Sequence, residues 1–314
     1  MKTIKLFLAS LIFTCLAPPL SFGVLPPPGT QTPPKATAEQ QTGNAVQPTA
    51  NPAVSMSGSV VGAMGNVLSG QAKNTRGLQF KDPVVSVGLS YRSWQDTGAG
   101  GFAGDDISTD VGLDFDVYDG WIVGFIYNHT YRGADNDQAA SEHMDSDGAS
   151  FYAAKRFFDL MNAGISYNFL TAEHRLTRGV KANLDRESHG TTMFVGISDR
   201  KGKWAWHTTT SYTHIFDDYD QQKNLDTGIF TWGGGVSYDF FPIFTAGAAF
   251  SHNTLVIQDV FPNTSVRDND FWTLGPRLSF YPTENLTLNV EFDSMEGYQE
   301  YRSYYARLGF DYSF

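Results

Sequence analysis

From Val84 to the C-terminus, apolar and polar residues alternate with a period of two. Val85, Val87, Leu89 and Tyr91 stand against Ser86, Gly88, Ser90 and Arg92, and Ile107, Thr109, Val111, Leu113, Phe115 and Val117 against Ser108, Asp110, Gly112, Asp114 and Asp116. Trp121 to Asn128, Leu286 to Asp293 and Tyr304 to Phe314 repeat the pattern. This is the signature of strands whose two faces meet different surroundings. Weaker segments near residues 148–158, 162–172, 189–199, 203–214, 226–240, 243–256 and 269–281 bring the total to about twelve.

The connections alternate as regularly as the side chains. Asp119-Gly120, Asp159-Leu160-Met161, Arg200-Lys201-Gly202, Phe241-Pro242 and Pro282-Thr283-Glu284 are short breaks that close hairpins. Between them fall longer polar stretches, 96–106, 133–147, 173–188, 215–225, 257–268 and 296–302, which read as long loops. In a sheet standing across a membrane, this places short turns on one side and long loops on the other. The segments run to about ten residues or more, longer than the usual strand of a soluble sandwich at about 5–6 and long enough to cross hydrocarbon at a tilt. An open sheet with acids along one face has no partner layer. The expected fold is therefore an all-β, transmembrane, antiparallel up-and-down β-barrel of about 12 strands over residues 84–314, following an N-terminal disordered linker.

Aromatic placement agrees with that fold. Trp121, Trp204, Phe244 and Tyr281 flank short turns, while Trp94, Tyr131, Tyr212 and Trp272 approach long loops, as two interfacial girdles require. His129, His214 and His252 share the apolar parity near the long loops and read as headgroup-level anchors rather than metal ligands.

Composition narrows the function classes. With 33 acidic against 22 basic residues the net charge is −11, which argues against a nucleic-acid partner. The one cysteine, Cys15, falls in the apolar run LFLASLIFTCLA behind Lys2 and Lys5, and Ser21-Phe22-Gly23 completes an export signal expected to be cleaved after Gly23. Cysteine chemistry is then absent from the mature chain. Residues 24–53, rich in Pro, Thr and Gln, form a tether with little to bury. Residues 54–76 change character, with Gly58, Gly62, Gly65 and Gly70 among Val60, Val61, Met64, Val67 and Leu68; the segment is either a slim pore helix or more linker.

The chain ends YARLGFDYSF. Its Gly309, Phe310, Tyr312 and terminal Phe314 resemble the C-terminal assembly signal of Gram-negative outer-membrane β-barrels. That resemblance, over residues 84–314, implies the cell outer membrane as location. It also implies the barrel-assembly machinery, outer-membrane lipid and lipopolysaccharide as partners. Twelve strands behind a small-residue segment further resemble the translocator domain of autotransporters, in which a helix threads the pore. Here residues 24–53 are too short to be an ordinary folded passenger.

A twelve-stranded barrel has a narrow or plugged bore. Inward candidates for its lining are Arg92, Asp110, Asp114, Asp116, Arg277, Glu291, Asp293 and Arg307, with Arg156, His207, Asp239 and Asp311 sharing their parity. Both signs occur, so these residues either set a field for passing ions or neutralise one another in a filled lumen. Catalysis would need a Ser/His or Asp/His pair, for which Ser251-His252-Asn253 and Thr213-His214 near Asp217 and Asp218 supply only common spacings. The acidic sets Asp135, Asp137, Glu142, Asp145, Asp147 and Asp217, Asp218, Asp220 read as solvated surface and not as a calcium loop. No cofactor, metal site or enzymatic activity is expected. The expected function is a narrow channel or autotransporter-like barrel, with a surface adhesin or receptor acting through 133–147 and 173–188 as the alternative and an outer-membrane hydrolase further behind.

Overall fold

The computed structural model describes residues 83–96, 102–118, 121–136, 141–157, 160–178, 180–219, 225–258, 270–283, 285–296 and 301–314. The expected signal peptide, tether and small-residue segment lie outside the described residues. Twelve strands follow in chain order: β1 (Val84–Asp96), β2 (Phe102–Tyr118), β3 (Trp121–Asn136), β4 (Ser141–Phe157), β5 (Met161–Arg178), β6 (Val180–Lys201), β7 (Trp204–Tyr219), β8 (Leu225–Phe241), β9 (Phe244–Gln258), β10 (Asp270–Phe280), β11 (Leu286–Glu296) and β12 (Tyr301–Ser313). Each pairs antiparallel with its neighbours in sequence, and β1 pairs with β12 from Val84↔Ser313 to Asp96↔Tyr301, closing the barrel. The Phe314 N–H donates to the Pro83 carbonyl at 3.3 Å, so the two barrel ends meet on the short-turn side. Closure leaves no unpaired edge, the requirement for a sheet in hydrocarbon.

The pleat sends large apolar side chains outward. Val87, Leu89, Val111, Phe151, Ile165, Met193, Leu274, Phe292 and Leu308 are all exposed on the outer wall. Outer aromatics bracket this band: Trp121 to Tyr131 on β3, Phe280 to Trp272 on β10, Tyr312 to Tyr304 on β12. About eight to ten residues at ~3.3 Å each, tilted by ~40°, give roughly 20–25 Å, the height of a hydrocarbon-facing band.

Four stretches expected as loops, 96–106, 133–147, 173–188 and 215–225, are in large part strand: β2 begins at Phe102 and β7 runs to Tyr219. β3 runs to Asn136 and β4 begins at Ser141, while β5 runs to Arg178 and β6 begins at Val180, so most of 133–147 and 173–188 lies in paired hairpins extending past the outer aromatics. These extensions are largely polar, with single apolar residues such as Met144 on the inner face, and hydropathy cannot tell such a strand from a loop. Hydrogen-bonded register and interior ion pairs hold them. At the other end, Gly202 takes φ +62° in the β6–β7 turn, a conformation that favours glycine.

Inside, glycines make room for aromatic rings. A Cβ on Gly124 would overlap the Tyr152 ring, and one on Gly164 the Phe194 ring. Tyr152 and Phe194 thereby lie flat across the neighbouring strand and pack with Ile126 and Ala154. The ring's dispersion contacts replace the missing side chain and pin the β3–β6 register.

Candidate functional site: the barrel lumen

Two ionic networks line the interior. The first joins five of the eight sequence-derived candidates. Arg307 on β12 donates to Asp110 on β2 at 2.8 Å, crossing over β1, and lies 3.6 Å from Glu291 on β11. Arg277 on β10 lies 3.8 Å from Glu291 and donates to both carboxylate oxygens of Asp293 at 2.8 and 2.7 Å. The crossing depends on Gly88, since a Cβ there would meet both Asp110 and the Arg307 guanidinium. Gly88 thus matters through the side chain it lacks, which no single-sequence pattern reveals.

The other three candidates stand apart. Arg92 places its guanidinium 5.6 Å from the Tyr305 ring centre. Asp114 accepts a hydrogen bond from the Tyr152 hydroxyl. The side chain of Asp116 lies outside the described residues. Asp311 accepts from Asn289 at 2.7 Å, and Arg200 pairs with Asp239 beside the short turns. The terminal residues behave differently: Phe310, Tyr312 and Phe314 are exposed on the outer wall, Tyr312 and Phe314 edge to face at 5.0 Å, while Gly309 pairs with Gly88.

The second network lies toward the long-loop end and is built from residues that sequence reasoning did not single out as lumen-lining. Arg132 on β3 makes a bidentate pair with Asp106 on β2 at 2.6 and 2.8 Å, and Trp94 Nε1–H donates to the same carboxylate at 3.1 Å. Arg186 on β6 donates to Asp217 on β7 at 2.7 Å and lies over the Tyr219 ring, with Ser188 also donating to Asp217. His174 and Glu142 approach at 3.3 Å between them. Glu142 and Asp217, expected on solvated surface, are both buried. Their parity was legible, but only the hairpin extensions bring their cationic partners opposite them. A bidentate arginine pair offsets desolvation well when the remaining donors are also met.

The pleat separates the residues grouped for catalysis. Thr213 and Ser251 face inward, at 3.0 Å from Thr192 and 2.7 Å from Thr273, while His214 and His252 face outward. The outward histidines are paired rather than lone anchors: His129 Nδ1 with Asp147 at 3.0 Å, His214 with Asp226 at 3.2 Å, and His252 with Asp270 at 3.4 Å. Within the first acidic set, Asp145 and Asp147 face outward while Glu142 is interior, so the set does not converge; Asp137 and Asp220 lie outside the described residues.

The interior also carries apolar patches. Met144, Leu170 and Ala172 form one, and Ile215, Ile229 and Leu255 another; Met144, Leu170 and Ile215 are 0 % exposed. Side chains on the concave wall of an open, water-filled bore would not be so fully covered.

This architecture has solved counterparts. The translocator domain of autotransporter NalP from Neisseria meningitidis aligns with a TM-score of 0.57 at 12% identity, covering 83% of this chain and 98% of that one. The β domain of the Bordetella autotransporter BrkA gives 0.62 at 11% identity, covering 74% and 100%. The chain shares the fold of these translocator domains. An outer membrane channel from Pseudomonas putida F1 also aligns, at a TM-score of 0.55 and 9% identity, over 76% of this chain and 97% of that one. No family model and no curated protein matches the sequence.

Proposed function

We propose that this chain is an autotransporter-like barrel of the cell outer membrane, exported by residues 1–23, whose lumen is occupied by its own residues 54–76. The observation that carries the reading is the complete burial of Met144, Leu170 and Ile215 on the inner wall of a closed barrel. At about 25 cal/mol per Å² of apolar surface removed from water, covering such patches favours a plugged bore. The fold shared with translocator domains and the outward apolar band support the membrane assignment. Phe310, Tyr312 and Phe314 stand on the outer wall, where assembly machinery can read them.

Single-channel recording in a planar bilayer tests the proposal. The refolded chain lacking residues 1–23 should conduct weakly, and deletion of 54–76 should raise conductance several-fold. Equal conductance would refute lumen occupancy. A second reading, a narrow channel for small hydrophilic solutes, is favoured by the Arg277–Glu291–Arg307–Asp110 network along one wall of the bore. In that case the intact chain itself conducts, with ion preference altered by Glu291→Gln.

A further inference from the structure

At mid-height the inner wall is two-faced. On the arc from β10 through β12 to β2, Arg277, Glu291, Arg307 and Asp110 saturate one another and occupy their side of the bore with long side chains. On the opposite arc, β4–β6, a polar strip of small, uncharged inward residues, Ser150, Ser166, Asn168 and Thr192 with Gly148 and Gly190, lies between the rings of Tyr152 and Phe194 on one side and Leu170 on the other. Asn168 lies beside Gly190. Ser150, Ser166 and Asn168 are each 1 % exposed. Yet the Ser150 and Ser166 hydroxyls and both amide atoms of Asn168 have no hydrogen-bond partner among the described residues. Four unmet polar atoms, each costing about 1–3 kcal/mol when buried, mark a surface made to receive donors and acceptors from elsewhere.

We infer that the β4–β6 strip is the docking surface for residues 54–76, which pack against it through their small polar stripe; this rests on the lumen-occupancy reading above. In that segment Ser55, Ser59, Gly62, Asn66 and Ser69 recur every three to four residues, placing them on one side of a helix. Glycine and serine permit close approach of its backbone to the strip, and Asn66 and the serines supply hydrogen-bonding groups of the kind the strip lacks. Twenty-three residues of helix span ~35 Å, enough to run the bore. The roughly eight residues from Arg76 to Val84 reach up to ~27 Å, so the segment can approach any wall from the mouth where β1 begins.

Cysteine cross-linking in the full-length chain tests the docking, with Cys15→Ser as background. Gly62→Cys, Asn66→Cys or Ser69→Cys is combined with either Ser166→Cys on the strip or Thr273→Cys on the facing arc. Heat-modifiable gel mobility first confirms that each variant is folded. Oxidation should cross-link the segment to Ser166→Cys at least tenfold more than to Thr273→Cys. Equal or preferred cross-linking to Thr273→Cys overturns the docking surface and leaves lumen occupancy standing. No cross-link to either wall, with conductance unchanged on deleting 54–76, removes both. As a second readout, a membrane-impermeant thiol reagent should modify Ser166→Cys more than tenfold faster once 54–76 is deleted, while Thr273→Cys changes little; an unchanged rate at Ser166→Cys also overturns the docking.

Discussion

Placing a charge on the outer wall tests the membrane-spanning band directly. Ile165 on β5 is 47 % exposed, about four residues from Met161 at the short-turn end and about four from Phe169 beside the outer aromatics. It therefore sits near the midplane of a band roughly 20–25 Å tall. An arginine at that depth costs about 2–4 kcal/mol in a transmembrane barrel, falling to about 0–1 near the interfaces. Ile165→Arg should therefore lower the folding equilibrium constant by roughly 30- to 1,000-fold, at ~1.4 kcal/mol per tenfold. Tyr304→Arg, in the outer aromatic belt on β12, should lower it by less than about tenfold. The assay is reversible urea unfolding in lipid vesicles, followed by tryptophan fluorescence, with linear extrapolation of the free energy. Equal costs at both positions would show that the exposed apolar wall does not face hydrocarbon. A negligible cost at Ile165 would do the same, because arginine is readily tolerated on a wet surface.

Other outcomes follow from the interior. Phe194→Ala should cost about 3–5 kcal/mol in the same titration, since it removes the ring that fills Gly164 and packs with Ile126 and Tyr152. Gly88→Val should displace the Arg307–Asp110 pair that crosses above it; a double-mutant cycle with Asp110→Asn should show strong non-additivity, and simple additivity would exclude the coupling. Asp106→Asn should destabilise the fold by about 3–5 kcal/mol by weakening the bidentate hold on buried Arg132, and an unchanged unfolding midpoint would contradict it. Gly202→Val, in open space at φ +62°, should cost only about 1–2 kcal/mol of backbone strain, and a larger loss would mean the turn makes contacts beyond its conformation.

The strand count and the outward and inward parities were legible because a pleated strand enforces a period of two with no help from the rest of the fold. The same rule identified Arg277, Glu291, Asp293, Arg307 and Asp110 as sharing one face. It could not say that they meet, because Arg307 and Asp110 are 197 residues apart and touch only when β12 closes onto β1. Nor could it separate hairpin from loop in 133–147 and 173–188, where polar residues dominate and the distinction rests on register with the neighbouring strand.

What the sequence determined by itself was therefore local: which side chains share a face, where the chain turns, and which surface tolerates hydrocarbon. The tertiary structure decided which distant residues become neighbours. It joined Arg132 to Asp106 and Arg186 to Asp217 toward the long-loop end, brought groups from other strands against Gly88 and Gly164, and left Ser150, Ser166 and Asn168 together on one wall. The physical reason is closure. Side-chain alternation is fixed residue by residue, whereas curvature and shear, which bring one strand's inward groups opposite another's, exist only once the first and last strands are hydrogen-bonded together.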